Sequence, residues 1–545
     1  MNTLVSKAVI QKEKNCGYKN TQGGFYMELK KANLHIDQVK CQLNTQITLE
    51  EDKNISDRNP DAERILMERG RVVIEELRPG TDSLSMKGKL VYEVLYSSDD
   101  ESSGLYRIQG EIPWEEKVRA EGMESIDNPQ VQARIEDLRS SLINSRKINI
   151  RSLINFCIRT KEIRDEEILT DVEDMGNMEI KKEPYSQSVI VADKKDVFRI
   201  KEDLELPASL PPIREVLWKY LDLGKWEVKP LEDKIGIQGE IGLFILYESE
   251  EEEAQIKSYE TTIPFSGNIE CSGTGSCMVA DVTPSISYQN LSVKQDYDGE
   301  DRMIDVEMVL DIPIQIYEKR EMEQVTDVYG TSMEITPEYS TGVCKVIRDK
   351  YQGRSKITET LKLPASSGKI LQVCHCCASV FIEDSEMENG GISMEGILSV
   401  TIFYITDDER RKYEVLKKDI PFSYTMENLN VCNGCKWKIN HKMEQCDAVI
   451  LDENNIEVKA VIGFEVLLEE LKERRTVTDI RIKPYEEEVI NNTPGMVVYI
   501  PSKKESIWEI GKRYQVSQES MKEMNQLTGS EIERGQKILL VKGTM

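Results

Sequence analysis

The chain has 545 residues, 39% of them hydrophobic and 31% charged, and a net charge of −27. That length exceeds one core and predicts three to five domains. The acidic surplus argues against a nucleic-acid backbone or an anionic membrane as the main partner, and no run reaches the roughly 18 apolar residues of a membrane helix.

The start, up to Gly24, has no apolar h-region and no small-residue cleavage site. Twelve scattered Cys make no disulfide framework. The reading is a chain that stays in a reducing cytosol with free thiols and no direct membrane insertion.

Residues 1–27 are read as a flexible N-terminal leader. From there the chain repeats itself. Gly88, Gly239 and Gly396 are each followed eight residues later by Tyr (Tyr96, Tyr247, Tyr404). Each is followed 25 residues later by Pro and then an aromatic: Pro113-Trp114, Pro264-Phe265 and Pro421-Phe422. The period of 151 to 157 residues is that of whole domains.

Leu90, Tyr92, Val94 and Tyr96 alternate, as do Ile241, Leu243, Ile245 and Tyr247, and Leu398, Val400, Ile402 and Tyr404. Period two predicts strands. Apolar Phe244 and Phe403 between them predict a central strand buried on both faces. Acidic turns follow at Asp99–Glu101, Glu250–Glu253 and Asp407–Glu409, read as solvated hairpin tips. The Pro belongs at a strand end or edge.

Second hairpins turn at Asn144-Ser145, Asp298-Gly299 and Asn454-Asn455. The first copy departs upstream, where Asp61 to Glu68 reads as a short helix. The fold expected is three antiparallel β domains, sandwich or barrel, at 28–165, 184–330 and 337–485. Polar segments near 166–184, 330–337 and 486–496 mark boundaries between independently folding units.

The tail, 496–545, is different. A short strand (Val497 to Ile500) precedes a helix capped by Ser506, a second helix opened by Ser517, and a closing strand (Ile538 to Val541). From residue 497 on, eight Lys/Arg stand against six Asp/Glu, while the rest carries about −29.

Cys and His crowd into the third copy. Cys374, Cys376, Cys432 and Cys435 are the candidates for a zinc site, although free thiols are the favoured reading. Alternation would place Cys374 and Cys376 on one face of a strand, and His375 and Cys377 on the other. No phosphate-binding loop or nucleophile elbow is present, and nothing marks a carboxylate pair in a cleft. The chain is read as a non-enzyme without cofactor.

Tyr499, Ser506-Ile507-Trp508, Tyr514-Gln515-Val516, Asn525-Gln526-Leu527 and Gly535-Gln536-Lys537-Ile538 resemble a LysM domain. The three repeats resemble SPOCS domains. Their combination is similar to a clostridial family of spore-coat morphogenetic proteins. That resemblance implies a mother-cell cytoplasmic adaptor recruited to the forespore surface. It implies that the LysM domain binds a coat-basement ATPase of the stage IV sporulation protein A type, that other coat proteins are partners, and that coat encasement is promoted.

LysM domains usually bind N-acetylglucosamine chains, so a peptidoglycan-binding wall or cortex protein is the alternative. Here Lys504-Glu505 stands where the family has Gly-Asp. The Gly lets backbone approach a sugar closely, so the reading favours a protein ligand. The expected surface is Tyr499, Lys503, Lys504, Ile507 and Trp508, with Ile507 or Trp508 as an exposed apolar anchor beside two lysines.

Overall fold

The computed structural model describes residues 14–17, 28–98, 104–173, 178–250, 255–364, 368–432, 434–485 and 494–542. The first repeat contains β1 (Lys14–Gly17), β2 (Glu28–Asn54), β3 (Ala62–Gly80), β4 (Ser83–Ser98), β5 (Leu105–Arg119), β6 (Gln130–Asn144) and β7 (Lys147–Val172). The second has β8 (Met178–Glu205), β9 (Ile213–Leu231), β10 (Lys234–Ser249), β11 (Ile256–Glu270), β12 (Val279–Val282), β13 (Ser285–Gln295) and β14 (Asp301–Gly330). The third has β15 (Glu334–Lys362), β16 (Ile370–Glu388), β17 (Gly391–Thr406), β18 (Tyr413–Met426), β19 (Cys435–Asp452) and β20 (Asn455–Lys483). The tail adds β21 (Met496–Tyr499), β22 (Glu505–Ser506), α1 (Ile507–Tyr514), α2 (Gln518–Asn525), β23 (Glu531–Ile532) and β24 (Ile538–Val541).

Each repeat is a sandwich of two antiparallel sheets. One is three-stranded, ordered β3-β4-β5, β9-β10-β11 or β16-β17-β18. The other is built on a long pair, β2·β7, β8·β14 or β15·β20. The first core shows the two sheets facing: Leu90, Tyr92 and Val94 of β4 pack with Ile150, Ile154 and Phe156 of β7.

The repeated Gly and aromatic are cross-strand partners. Gly88 pairs with Trp114, Gly239 with Phe265 and Gly396 with Phe422. A Cβ on Gly88 would lie 2.1 Å from the Val73 carbonyl oxygen and 2.6 Å from the Trp114 ring. On Gly396 it would lie 2.1 Å from the Phe381 oxygen. The ring therefore lies over a bare backbone, and no larger residue fits under it. The repeated Tyr is buried, and the hydroxyls of Tyr96 and Tyr247 donate to the carbonyls of Pro60 (3.1 Å) and Pro211 (3.0 Å).

The long pairs outrun their sandwiches. β6 leaves β7 at Arg159, β12 leaves β14 at Tyr317 and β19 leaves β20 at Glu470. Beyond these points each pair continues as a ribbon, two-stranded except at the end of the first, where β1 lies along β2. A bulge marks the passage in each: Lys40, Val191 and Arg348 are the unpaired residues.

The three ribbons pack together. Leu29 and Leu169, Val325 and Val328, and Val477 and Ile480 share one buried core. A second shared core joins Leu66 and Leu95 to Trp218 and Phe244 and to Phe403 and Tyr413. The repeats also contact one another in all three pairings: Arg69 donates to the Leu221 carbonyl (2.8 Å), Lys438 pairs with Asp281 (2.7 Å) and Arg64 with Glu414 (2.6 Å). At the centre, the buried Asp37 carboxylate accepts from Tyr317 (2.9 Å) and pairs with Lys161 (3.2 Å) and Lys345. One carboxylate thus holds groups from all three repeats.

Several expectations change. The segment expected as a helix, Asp61 to Glu68, enters β3, with bulges between Ala62 and Arg64 and between Ile65 and Met67. Strand occupies 166–172 and 178–184, within the segment expected as a boundary, and residues of all three repeats meet in the shared cores. Lys14–Gly17 of the expected leader pairs with β2, and the rest of 1–27 lies outside the described residues. Of the acidic turns, 99–101 and 251–253 also lie outside them. Asp408 caps a single 3-10 turn by accepting from the Arg410 amide.

Candidate functional site

The tail's first helix is set by a capping box. The Ser506 hydroxyl accepts from the Glu509 amide, and the Glu509 side chain accepts from the Ser506 amide. This fixes the rotation of α1. Ile507 and Ile510 turn into the tail's core with Val516, Met521, Ile532, Ile538 and Leu540. Trp508, Gly511 and Lys512, spaced i, i+3, i+4, share another face.

That face meets the end of the second ribbon. The Trp508 indole N–H donates to Asp327 Oδ2 (2.8 Å), and Lys512 Nζ donates to Oδ1 (2.6 Å). The Tyr339 hydroxyl donates to the same carboxylate (2.6 Å). The Tyr329 ring meets Trp508 edge-on at 4.9 Å, and its hydroxyl donates to the Val516 carbonyl (2.9 Å). Gly511 makes the room, since a Cβ there would lie 2.4 Å from the Tyr329 oxygen. At the start of α2, the Gln518 amide and side chain both donate to Glu179, at 3.1 and 3.2 Å.

Burial pushes the Asp327 carboxyl up, but the donors from Lys512, Tyr339 and Trp508 outweigh it and hold it below the ordinary carboxylate range. The carboxylate is therefore charged at neutral pH. A cavity of about 710 Å³ opens beside this contact, between the second and third ribbons, lined by Tyr185, Arg474, Arg475, Asp327 and Lys512 among others.

The five residues expected to form a partner surface are not brought together. Ile507 is 1% exposed, in the core of the tail. Trp508 is 9% exposed and covered by Tyr329. The expected exposed apolar anchor is absent from this arrangement, because the second ribbon occupies its place. The Tyr499 hydroxyl donates to Glu505 (3.0 Å) and accepts from Arg513 (2.8 Å). Lys504 pairs with Glu531 and, at 3.5 Å, with Glu533, tying the loop after β21 to the segment after α2. Lys503 is exposed.

The zinc candidates also part company. Cys432 and Cys435 form a disulfide, which corrects the expectation of free thiols at those two positions. Cys374 is itself a bulge residue, between Val373 and His375. The extra residue swings Cys374 and His375 to the side of Phe244 and Phe403, while Cys376 faces the sandwich interior. Cys374 and Cys376 therefore do not share a face. Burial pushes the Cys374 thiol up to about 12. Cys376 Sγ lies 3.3 Å from Cys446 Sγ, across the two sheets. Among the described residues no group of three or more His, Cys, Asp or Glu is placed to hold a metal ion.

Sequence reasoning missed the acceptor side altogether. Its signal was a short one, Thr-Asp followed by Val or Ile, present at Thr170, Thr326 and Thr478.

The SipL, SPOCS domain family model matches residues 61–143, 212–294 and 369–451, and a LysM domain model matches 502–541. This is a chain of three SPOCS domains with a C-terminal LysM domain. Both are non-catalytic domain families. The SPOCS matches span β3–β6 and their counterparts, so the long strands that build the ribbons lie outside them. No curated protein and no solved structure matches the chain. Among the described residues no helix is long and apolar enough to cross a membrane.

Proposed function

We propose that this protein is a non-enzymatic adaptor in spore-coat morphogenesis. In this reading it works in the mother-cell cytoplasm and is recruited to the forespore surface. Its LysM domain binds a coat-basement ATPase of the stage IV sporulation protein A type, and its three fused SPOCS domains present other coat proteins and promote encasement. The domain set, which fits a sporulation-associated adaptor or a cell-wall-binding protein, supports the family of roles.

The observation that carries the choice between them is the chemistry of the LysM helix face. Trp508, Gly511, Lys512 and Gln518 are engaged with carboxylates and a phenol of a protein surface. The Lys504–Glu531 pair spans the two loops between which a LysM glycan would lie, which further favours a protein ligand.

A pull-down from sporulating cells with the full chain and with residues 496–545 deleted tests this. The ATPase should be recovered with the full chain and lost with the deletion. Recovery by both, or tight binding of N-acetylglucosamine oligomers to the full chain, would sink the reading.

A further inference from the structure

The three ribbons end alike. Thr170, Thr326 and Thr478 each occupy a bulge. Their hydroxyls donate across the ribbon to the carbonyls of Lys30 (3.1 Å), Lys181 (3.3 Å) and Glu338 (3.2 Å). An Asp follows each Thr. Asp327 and Asp479 accept from the next backbone amide at 3.0 and 2.8 Å, and Asp171 makes the same bond to Val172. The backbone thus offers three equivalent carboxylates, yet the LysM domain sits on one.

The difference lies in neighbouring residues. Asp171 is taken by Lys182 at 2.7 Å. Two residues beyond each Asp stand Glu173, Tyr329 and Arg481. Only Tyr329 can enter the dent at Gly511 and reach the Val516 carbonyl. An Asp and a Tyr two apart on a strand point to the same face, and here they satisfy the indole N–H, the Lys512 ammonium and a helix-end carbonyl together.

We propose that the LysM helix face recognises a carboxylate beside a phenol, and that Asp327 and Tyr329 occupy it in cis. This rests on the reading that the LysM domain binds a partner protein. The partner presents the same acidic and phenolic pair and displaces the ribbon. Once the ribbon leaves, the Trp508 and Lys512 donors lose their acceptor, so an apolar surface alone would leave them unpaired. The cis contact lowers the partner's apparent affinity by the fraction of molecules in which the face is open.

The test uses the full chain, with the ATPase named above as probe. Zero-length carbodiimide coupling should join Lys512 to Asp327, and mass spectrometry should find that peptide pair in the free protein. Saturating ATPase should abolish it. Asp327→Asn and Tyr329→Phe, both nearly isosteric, should each bind the ATPase more tightly, by up to about tenfold if the closed form dominates at roughly ten to one. A cross-link that persists at saturation overturns the proposal, as does unchanged or weaker binding by both variants. Deleting 496–545 separates the two failures. If binding survives deletion, the reading of the LysM domain is wrong. If deletion abolishes binding while the cross-link persists at saturation, only the present inference falls.

Discussion

Each repeat has two halves that follow different rules. In the sandwich halves the side chains themselves recur, as Gly under an aromatic ring and a buried Tyr. In the ribbon halves the bulges recur, and beyond the Thr-Asp pair at each tip the side chains at the joint do not. The bulges at Lys40, Val191 and Arg348 keep the spacing of the sandwich glycines. Three residues before each bulge stand Asp37, Ser188 and Lys345. Asp37 and Lys345 pair directly, and the Ser188 hydroxyl accepts from the Ile347 amide at 2.8 Å.

The contrast teaches how a triplicated chain fixes one arrangement. Three identical residues at such a junction would bring like groups together. Here a carboxylate and an ammonium at two of the equivalent positions pair with each other, the hydroxyl at the third takes a backbone amide, and the wrong neighbour would leave a buried charge unpaired.

The largest break in that comparison should come from Asp37→Ala. It strands Lys161 and Lys345 beside each other, at a cost of about 3–5 kcal/mol. Denaturant unfolding should show this, with Ser188→Ala costing only about 1 kcal/mol. Equal costs for the two would refute the asymmetry. Acid probes the same joint. Burial pushes the Asp37 carboxyl up, but Lys345 and Lys161 overcome it and hold it at about 2. A depressed native value means stability that is fully present above the ordinary value of 3.8 and is lost as pH falls through about 2. Melting temperatures should therefore drop steeply across that window in the wild type and less in Asp37→Ala.

Next comes Tyr329→Ala, which removes the side chain distinguishing the second ribbon tip. It should weaken LysM docking by roughly 3 kcal/mol. Calorimetry should then show LysM unfolding apart from the sandwiches, whose own transition stays put. A single unchanged transition would mean that the tip holds nothing.

Smaller effects should come from the shared sandwich rule. Gly88→Ala and Gly396→Ala each force a Cβ into a carbonyl and a ring, costing about 1–3 kcal/mol. Similar falls in melting temperature are expected for both, and a tolerated Ala in either repeat would show that the sandwiches differ. The least effect belongs to the ribbon hydroxyls. Thr170→Val and Thr478→Val should each cost about 1 kcal/mol by denaturant titration.

The sandwich rule was legible because strict alternation and a fixed Gly-to-aromatic distance survive in sequence. Phe244 and Phe403, apolar on the wrong parity, correctly signalled central strands, and their second face became the three-way core. The LysM unit was legible from its caps. Bulges hid the rest. Adjacent Leu66 and Met67 look helical because two bulges in β3 interrupt the period of two. The bulge at Cys374 likewise put that residue on the side of His375 and broke the expected alternation. The cover over Trp508 was not legible, since Asp327 lies 181 residues away and its Thr-Asp-Val signature is three letters long.

The joint at Asp37 also sets a timetable. Its donors wait on chain that is far downstream, with Tyr317 280 residues later and Lys345 308 residues later. At about 5–20 residues per second on the ribosome, Asp37 spends roughly 15–60 s in water before its last partner emerges. The first sandwich can close in that interval, but its ribbon cannot be buried. The nascent protein therefore carries an unfinished seam until its third repeat is translated, and a message truncated before that point yields a chain whose seam never closes.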